Sequence, residues 1–230
     1  MGNKNKLQRF AENLTFSNLF QYRYEEVIKG FPLKGRWKQD FFKNDHPLIL
    51  ELGCGKGEYT VGMACQNPEK NFIGVDIKGA RMWRGLKTAQ EKKLKNVAFV
   101  RTRIELSEHY FGTREVDGIW ITFPDPQIKA KKERKRLTSP RFLERYARFL
   151  KPEAIIHLKT DALLLYDYTR EVIEEGGHIL LEANEDIYGS NINNEITQIQ
   201  TFYEKKWLEY GTKIRYLAFQ LNPEFFQKND

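Results

Sequence analysis

The chain has 230 residues and carries 38 Lys and Arg against 31 Asp and Glu, so its formal net charge at pH 7 is +7. This length suits one sizeable α/β domain and excludes two full domains with a linker. Apolar residues make up 40% of the chain, enough for a core. No apolar run approaches the roughly 18 residues of a membrane-spanning helix. The basic charge therefore favours an acidic partner, and nucleic acid fits better than a membrane.

Residues 1–45 contain scattered aromatic residues and nine Lys or Arg against five Asp or Glu. This composition predicts an irregular, basic N-terminal arm that leads into one folded domain over residues 46–230. The first ten residues contain lysines but lack the apolar core of a secretory signal, so a cytoplasmic location is expected.

From Pro47 onward, apolar runs alternate with amphipathic stretches. The apolar runs predict strands near residues 48–52, 71–75, 97–100, 117–122, 154–158 and 178–182. The amphipathic stretches predict helices near residues 57–66, 79–93, 140–150 and 161–175. A helix near residues 202–210 and a last strand from Lys213 to Leu221 follow a polar loop. This order predicts an α/β fold with helices on both faces of a mostly parallel, seven-stranded sheet and a late antiparallel strand.

A glycine-rich turn follows the first of these strands, with glycines at positions 53, 55 and 57. Glycines let a ligand approach the backbone closely. The third glycine stands one residue too early for a dinucleotide-binding fingerprint, and Glu51 before the turn would repel a pyrophosphate. A carboxylate at this position can pair instead with a cationic ligand or an amino group.

Asp76 ends the second strand, at the place where a carboxylate holds a ribose diol in nucleotide-binding folds. S-adenosylmethionine suits both carboxylates: its cationic amino-acid end can pair with Glu51, and its ribose has free hydroxyls for Asp76. The sequence therefore predicts this cofactor. The four histidines and two cysteines lack ligand spacing, so neither a metal site nor a disulfide is expected.

An acid between two prolines, Asp125, follows the fourth predicted strand. Proline fixes its own φ and restricts the preceding residue, so Pro124 and Pro126 predict a stiff, non-helical turn. Lys129 comes next, and then a dense run of cations: Lys131, Lys132, Arg134, Lys135 and Arg136. An acid beside such a run favours chemistry on a polyanion. The plainer interpretation is a turn-forming aspartate before a solvated loop.

The glycine turn resembles the nucleotide-binding motif of class I methyltransferases, which have a Rossmann-like fold. Together with the segment Phe-Pro-Asp-Pro-x-x-Lys at residues 123–129, it resembles the bacterial tRNA (guanine-N7-)-methyltransferases. The resemblance covers about residues 47–222 and includes Thr160–Asp161 and residues 201–204. It implies methyl transfer from S-adenosyl-L-methionine to N7 of a guanosine in the tRNA variable loop, at position 46.

The same resemblance implies roles for individual residues. Asp125 would be the catalytic acid. The cofactor would be bound by Glu51, Gly53, Gly55, Gly57, Asp76, Arg103 and Ile104. The substrate would be bound by Lys129, Asp161, Thr201, Phe202, Tyr203 and Glu204. The RNA would meet Lys131, Lys132, Arg134, Lys135 and Arg136.

The chain departs from the family pattern at two positions. Arg103 stands where the family places an acid that holds the adenine amino group, and arginine has no acceptor. Either backbone groups of Arg103 and Ile104 read the adenine while Arg103 stacks on it, or Glu105 takes the role. Gln127 replaces the usual aromatic after Pro126, so a stacking partner for the target base is lost or supplied elsewhere.

Three of the predicted substrate residues also have a helix-capping interpretation. Thr201 and Glu204 have the spacing of a capping box, and this is the better interpretation from residues alone. A capped helix start could still present a partly exposed Glu204 carboxylate toward a cleft. Asp161 could be only the N-cap of the helix over residues 162–175.

Two other functions compete with this interpretation. One is a methyltransferase acting on another base of RNA or DNA, such as an exocyclic amine, although that class usually shows two adjacent prolines before an aromatic. The other is a non-catalytic RNA-binding homologue, which would be expected to lose Glu51, Asp76 or Asp125, and all three are present. tRNA is the expected partner, of a monomer or a homodimer.

Overall fold

The computed structural model describes residues 2–190 and 195–227. The chain divides into two units, Met1–Gly112 and Thr113–Asp230. In both units, strands alternate with helices as the apolar periodicity predicts. No helix in these described ranges is long and apolar enough to cross a membrane.

The first unit contains four strands that all pair in parallel, in the order β1-β4-β3-β2. The strands are β1 (Leu19–Phe20), β2 (Leu48–Leu52), β3 (Asn71–Asp76) and β4 (Val97–Arg101). The helices are α1 (Gly2–Asn13), α2 (Tyr24–Val27), α3 (Glu58–Gln66) and α4 (Gly79–Glu91), with a π-helix at Trp37–Phe42 and a 3₁₀ helix at Ile104–His109. Strands β2, β3 and β4 are almost entirely buried, which explains their continuous apolar runs.

The N-terminal residues are more regular than the sequence suggested. Helix α1 packs beside α4, where Glu12 accepts hydrogen bonds from Trp83 Nε1 at 2.7 Å and Lys87 Nζ at 2.9 Å. Trp37 is fully buried and donates from Nε1 to the carbonyl of Tyr110 at 2.9 Å. The prediction of an irregular arm is therefore wrong, whereas the domain division after residue 45 stays a prediction.

The second unit contains the other four strands, in the order β5-β6-β8-β7. They are β5 (Val116–Thr122), β6 (Leu150–Thr160), β7 (Ile179–Asn184) and β8 (Arg215–Gln220). The helices are α5 (Pro140–Ala147), α6 (Leu163–Glu175), α7 (Glu195–Gln198), α8 (Phe202–Glu209) and α9 (Glu224–Gln227), with a 3₁₀ helix at Ala130–Lys135. Strand β5 runs parallel to β6, whereas β8 pairs antiparallel with both β6 and β7.

The predicted α/β class, with mostly parallel strands and a late antiparallel strand, is confirmed. The described residues hold eight strands rather than seven, because β1 was not predicted. A strand of two residues is too short to show the alternation by which strands are recognised. All of the other predicted strands and helices are present within a few residues of their expected bounds.

Candidate functional site

The glycine turn after β2 has left-handed backbone at Gly53, Gly55 and Gly57, with φ of 82°, 55° and 71°. A Cβ at Gly57 would lie 2.6 Å from the Phe99 ring, so this glycine is required by packing as well as by its φ. A Cβ at Gly55 would meet no atom nearer than 4.0 Å. The turn therefore leaves open space at Gly55, where a ligand can approach the backbone.

Asp76 ends β3 beside this turn and is half-buried. Its carboxylate accepts the Gly55 amide at 2.9 Å through Oδ2 and the Lys78 amide at 2.7 Å through Oδ1. An ionised carboxylate offers about four lone-pair sites, so these two bonds leave capacity for two hydroxyl donors. Asp76 can therefore hold a diol while it also fixes the glycine turn.

Glu51 has a structural role that the sequence analysis missed. Its side chain is 2% exposed, and Oε2 accepts hydrogen bonds from the Thr60 amide at 2.8 Å and from the Thr60 hydroxyl. Thr60 is the third residue of α3, whose first amides lack partners within the helix. Glu51 thus caps α3 from the preceding strand. An acid before a turn, with a threonine in the first turn of the next helix, is the sequence pattern that could have indicated this contact.

The neighbouring Cys54 is buried and takes part in no disulfide. Burial raises the pKa of its thiol well above the usual value, and the negative charges of Glu51 and Asp76 raise it further. Cys54 is therefore held as a neutral thiol and is not a candidate nucleophile. Among the described residues, no group of three or more His, Cys, Asp or Glu side chains could hold a metal ion.

The first unit has a groove of about 670 Å³ that reaches Ile77, the residue after Asp76. Its lining includes Ile77, Arg101 and residues of the N-terminal segment such as Phe10 and Tyr22. Sequence reasoning did not include these residues in the site, because distant contacts bring the N-terminal segment to this edge: β1 pairs with β4, and α1 packs beside α4. Arg103 is exposed and precedes the 3₁₀ helix, and Ile104 begins that helix. Their roles toward adenine stay predictions.

These features fit S-adenosyl-L-methionine. The space at Gly55 admits a ligand to the backbone, and the Asp76 carboxylate has capacity for a ribose diol. The exposed Ile77 side chain offers an apolar wall directly after Asp76. The residues predicted to bind the cofactor lie in the first unit, and their roles toward it stay predictions.

In the second unit, the Asp125 turn is held by several contacts. Asp125 is exposed, and its Oδ1 accepts the Gln127 amide at 3.0 Å. Phe123 and Gln127 on either side both have left-handed backbone, with φ of 48°, which is uncommon outside glycine. The Phe123 amide donates to the carbonyl of Lys159 at 2.8 Å, which ties the turn to β6. The prediction of a non-helical turn is confirmed, whereas its stiffness stays a prediction.

The cationic segment after this turn forms a short 3₁₀ helix at Ala130–Lys135. The cations that are exposed are Lys129, Lys131, Lys132, Arg134 and Lys135. Arg136 differs from them because it is only 5% exposed. Its Nε donates to the carbonyl of Pro126 at 3.1 Å, and its guanidinium lies 4.2 Å from the centre of the Tyr168 ring. Arg136 thus supports the Asp125 turn through the Pro126 carbonyl.

Asp161 follows β6 but does not cap the next helix. The N-cap of α6 is Ala162, and the Ala162 amide donates to the hydroxyl of Thr160 at 3.1 Å. The alternative interpretation of Asp161 as an N-cap is therefore wrong. The Asp161 carbonyl accepts from Arg215 at 3.1 Å, so its backbone is anchored and its side chain stays partly exposed.

The capping box at the start of α8 is confirmed. Thr201 accepts the Glu204 amide at 3.2 Å, and the Glu204 carboxylate accepts the Thr201 amide at 3.3 Å. The expectation of a partly exposed Glu204 is wrong, because this side chain is fully buried. Phe202 and Tyr203 between them are 55% and 45% exposed. The structure thus turns two aromatic side chains of the predicted substrate set outward and two polar ones inward.

The buried partner of Glu204 is Lys159, which sequence reasoning also missed. Lys159 Nζ lies 2.6 Å from Glu204 Oε1, and both side chains have no exposed surface. Burial lowers the pKa of Lys159, and the Glu204 charge opposes this shift. The Tyr188 hydroxyl donates to Glu204 at 2.7 Å, and burial raises the pKa of Tyr188, with a further rise from Glu204.

Comparison with known proteins supplies the family context. A family model described as "Putative methyltransferase" matches residues 45–217. The chain is 56% identical over 223 residues to the tRNA (guanine-N(7)-)-methyltransferase of Christiangramia forsetii, covering 96% of this chain and 100% of the relative. It is 50% identical over 222 residues to the enzyme of the same name from Bacteroides thetaiotaomicron, covering 96% of this chain and 87% of the relative.

Solved structures support the fold. The 16S rRNA methyltransferase KamB matches with a TM-score of 0.61 at 16% identity, covering 80% of this chain and 92% of that one. An antibiotic-related methyltransferase matches with a TM-score of 0.58 at 20% identity, covering 79% and 90% of the two chains. Likeness at these identities shows the fold alone, and it confirms the predicted Rossmann-like methyltransferase architecture.

Proposed function

The chain belongs to the tRNA (guanine-N(7)-)-methyltransferase family, and from this premise we propose that it transfers a methyl group from S-adenosyl-L-methionine to N7 of a guanosine in tRNA. We further propose that the target is the variable-loop guanosine at position 46. The observation that carries the proposal is the exposed Asp125 carboxylate, which accepts the Gln127 amide in a non-helical turn beside exposed cations. Such a group is oriented before any substrate binds.

The first unit would bind the cofactor. S-adenosyl-L-methionine, when bound, supplies an electrophilic methyl group on a cationic sulfur. Asp76 would accept hydrogen bonds from the ribose hydroxyls while it holds Gly55 in place. Glu51 would act through the start of α3, which it caps, and would add negative charge behind the turn. The backbone of Arg103 and Ile104 would read the adenine edge.

The second unit would bind the guanine. Guanine N7 is an acceptor with a lone pair and no proton, so no general base is required. Asp125 would orient the base and stabilise the positive charge that develops on the purine. Asp161 would accept from guanine N1–H and the exocyclic amine, and Lys129 would donate to O6. Unpaired RNA bases commonly stack on aromatic side chains, so exposed Phe202 or Tyr203 would replace the stacking partner absent at residue 127.

The tRNA backbone would meet the exposed cations of the 3₁₀ helix and its flanks. Lys131, Lys132, Arg134 and Lys135 are free to face phosphates, since all four are exposed. Arg136 was predicted with them, but its burial supports a bracing role for the Asp125 turn instead. A cytoplasmic location and a monomeric or homodimeric state remain predictions.

Incubation with labelled S-adenosyl-L-methionine and unmodified tRNA, followed by nucleoside analysis, tests the proposal. The expected product is 7-methylguanosine, and a tRNA with adenosine at position 46 should remain unlabelled. A different methylated nucleoside would identify another RNA methyltransferase. tRNA binding without any methylation by the intact chain would indicate the non-catalytic homologue.

A further inference from the structure

We infer that Lys159 is a positioning residue for the guanosine substrate, which ties the Asp125 turn to the segment of residues 196–204. The inference rests on the proposed function, because it assigns a purpose to a buried ion pair beside the proposed guanine-binding residues. Lys159 itself is fully buried, so it cannot touch the substrate. It would act through the groups that it holds.

Lys159 contacts two separate parts of the second unit. Its carbonyl accepts the Phe123 amide at 2.8 Å, at the start of the Asp125 turn. Its Nζ donates to the carbonyls of Ile196 and Ile199, the latter at 3.4 Å, and pairs with Glu204 at 2.6 Å. One residue therefore contacts the catalytic turn through its backbone and the segment before α8 through its side chain.

The ammonium group of Lys159 can donate to several partners at once. A lysine ammonium has three donors, and three acceptors surround it: two carbonyls and one carboxylate. A buried ion pair is poor evidence for stability, because removing two charges from water is costly. What such a cluster can specify is one arrangement of the chain, since each acceptor must meet its donor. The segment between Ile196 and Glu204 is held by all three.

Residues proposed to bind guanine lie close in sequence to Lys159 or within the segment that it holds. Asp161 lies two residues after Lys159 on the same chain, and its side chain is partly exposed. Phe202 and Tyr203 lie within the segment that Nζ holds, and both are exposed. A shift of the segment would therefore move the aromatic side chains relative to Asp161. Misplacement of a substrate-orienting group by about 1 Å can cost roughly 100-fold in rate.

The test compares three variants. Lys159→Met removes the ammonium, and Lys159→Met with Glu204→Gln also removes the carboxylate that would otherwise stay buried without its cation. Glutamine at this position still completes the capping box with Thr201. Lys151→Met is the matched control, because Lys151 lies near the start of the same strand and pairs with Asp117 at 2.5 Å.

Three quantities are measured at a temperature where every variant is folded. They are hydrogen exchange in peptides covering residues 195–203, KM for tRNA, and the affinity for S-adenosyl-L-methionine without RNA. In Lys159→Met we expect the hydrogen-exchange rate of this segment and KM for tRNA each to rise at least about tenfold, because hydrogen bonds to a charged group are lost. The affinity for S-adenosyl-L-methionine should be nearly unchanged. The double variant should regain thermal stability yet keep the fast exchange and the raised KM.

Recovery of exchange and KM together with stability in the double variant would overturn the inference, because Lys159 would then only neutralise Glu204. An equal rise in Lys151→Met would overturn it as well, since the effect would not be specific. The exchange measurement needs no RNA. A parent protein that forms no 7-methylguanosine would therefore refute the proposed function, while exchange still decides whether Lys159 holds the segment.

Discussion

The Gly55 amide donates a 2.9 Å hydrogen bond to the Asp76 carboxylate, so the residue proposed to hold the ribose also holds the glycine turn. Asp76→Ala would remove both interactions. We expect cofactor affinity to fall about 10- to 100-fold, the cost of losing charge-assisted hydrogen bonds. Asp76→Asn, which keeps one acceptor oxygen, should have a smaller effect. Calorimetric titration with S-adenosyl-L-methionine measures both, and unchanged affinity in Asp76→Ala would remove Asp76 from the cofactor site.

Asp125→Asn tests the proposed catalytic charge with little change in shape. An amide oxygen can still accept the Gln127 amide, so the turn between the prolines should persist. We expect single-turnover methylation to slow by at least about 100-fold, as for removal of a preorganised group at a reacting centre. Cofactor affinity, measured in parallel, should stay within a few-fold of the parent. Near-normal single-turnover rates would exclude Asp125 from the mechanism.

Two glycine substitutions in the same turn should differ in their effect on stability. Gly55→Ala forces alanine into left-handed backbone without a steric clash, which costs about 1–2 kcal/mol. Gly57→Ala adds a methyl group 2.6 Å from the Phe99 ring, so overpacking raises the total to about 2–5 kcal/mol. Chemical denaturation of the two variants gives the free energies of unfolding. Equal losses of stability would show that Phe99 and its neighbours can repack around the added methyl group at little cost in free energy.

Substitutions of the exposed cations and of Arg136 should have different effects on tRNA binding. Alanine at Lys131, Lys132, Arg134 and Lys135 should weaken tRNA binding and reduce the log–log salt slope by roughly 0.7–0.9 for each phosphate that is no longer neutralised. Arg136→Ala is the comparison. It should lower the melting temperature, because Arg136 stacks on Tyr168 and bonds to Pro126, while it keeps the parent salt slope. A parent slope in the four-alanine variant would place the RNA footprint elsewhere, with residues 1–45 the next candidate.

Local pattern was sufficient for most of the fold. The sequence shows the apolar runs of β2 to β8 and the amphipathic stretches of the longer helices. Both patterns are visible because the periodicity of a strand or a helix involves only residues close together in the chain. The capping box of Thr201 and Glu204 and the non-helical turn at Asp125 are local as well, and both were predictable. Helix α1 was missed because it gains its partners, Trp83 and Lys87, from a distant helix.

Which polar residues would be buried was decided by tertiary contacts alone. Glu204 and Arg136 look like exposed charges in the sequence, yet the first meets Lys159, 45 residues earlier, and the second lies on Tyr168, 32 residues later. Glu51 likewise gains Thr60 only when α3 folds back against β2. A charge can be buried only where partners arrive to satisfy it, and those partners come from elements that the sequence places far apart. Residue types and spacing therefore determined the chemistry available to this protein, and folding determined which charges remain exposed to bind substrate.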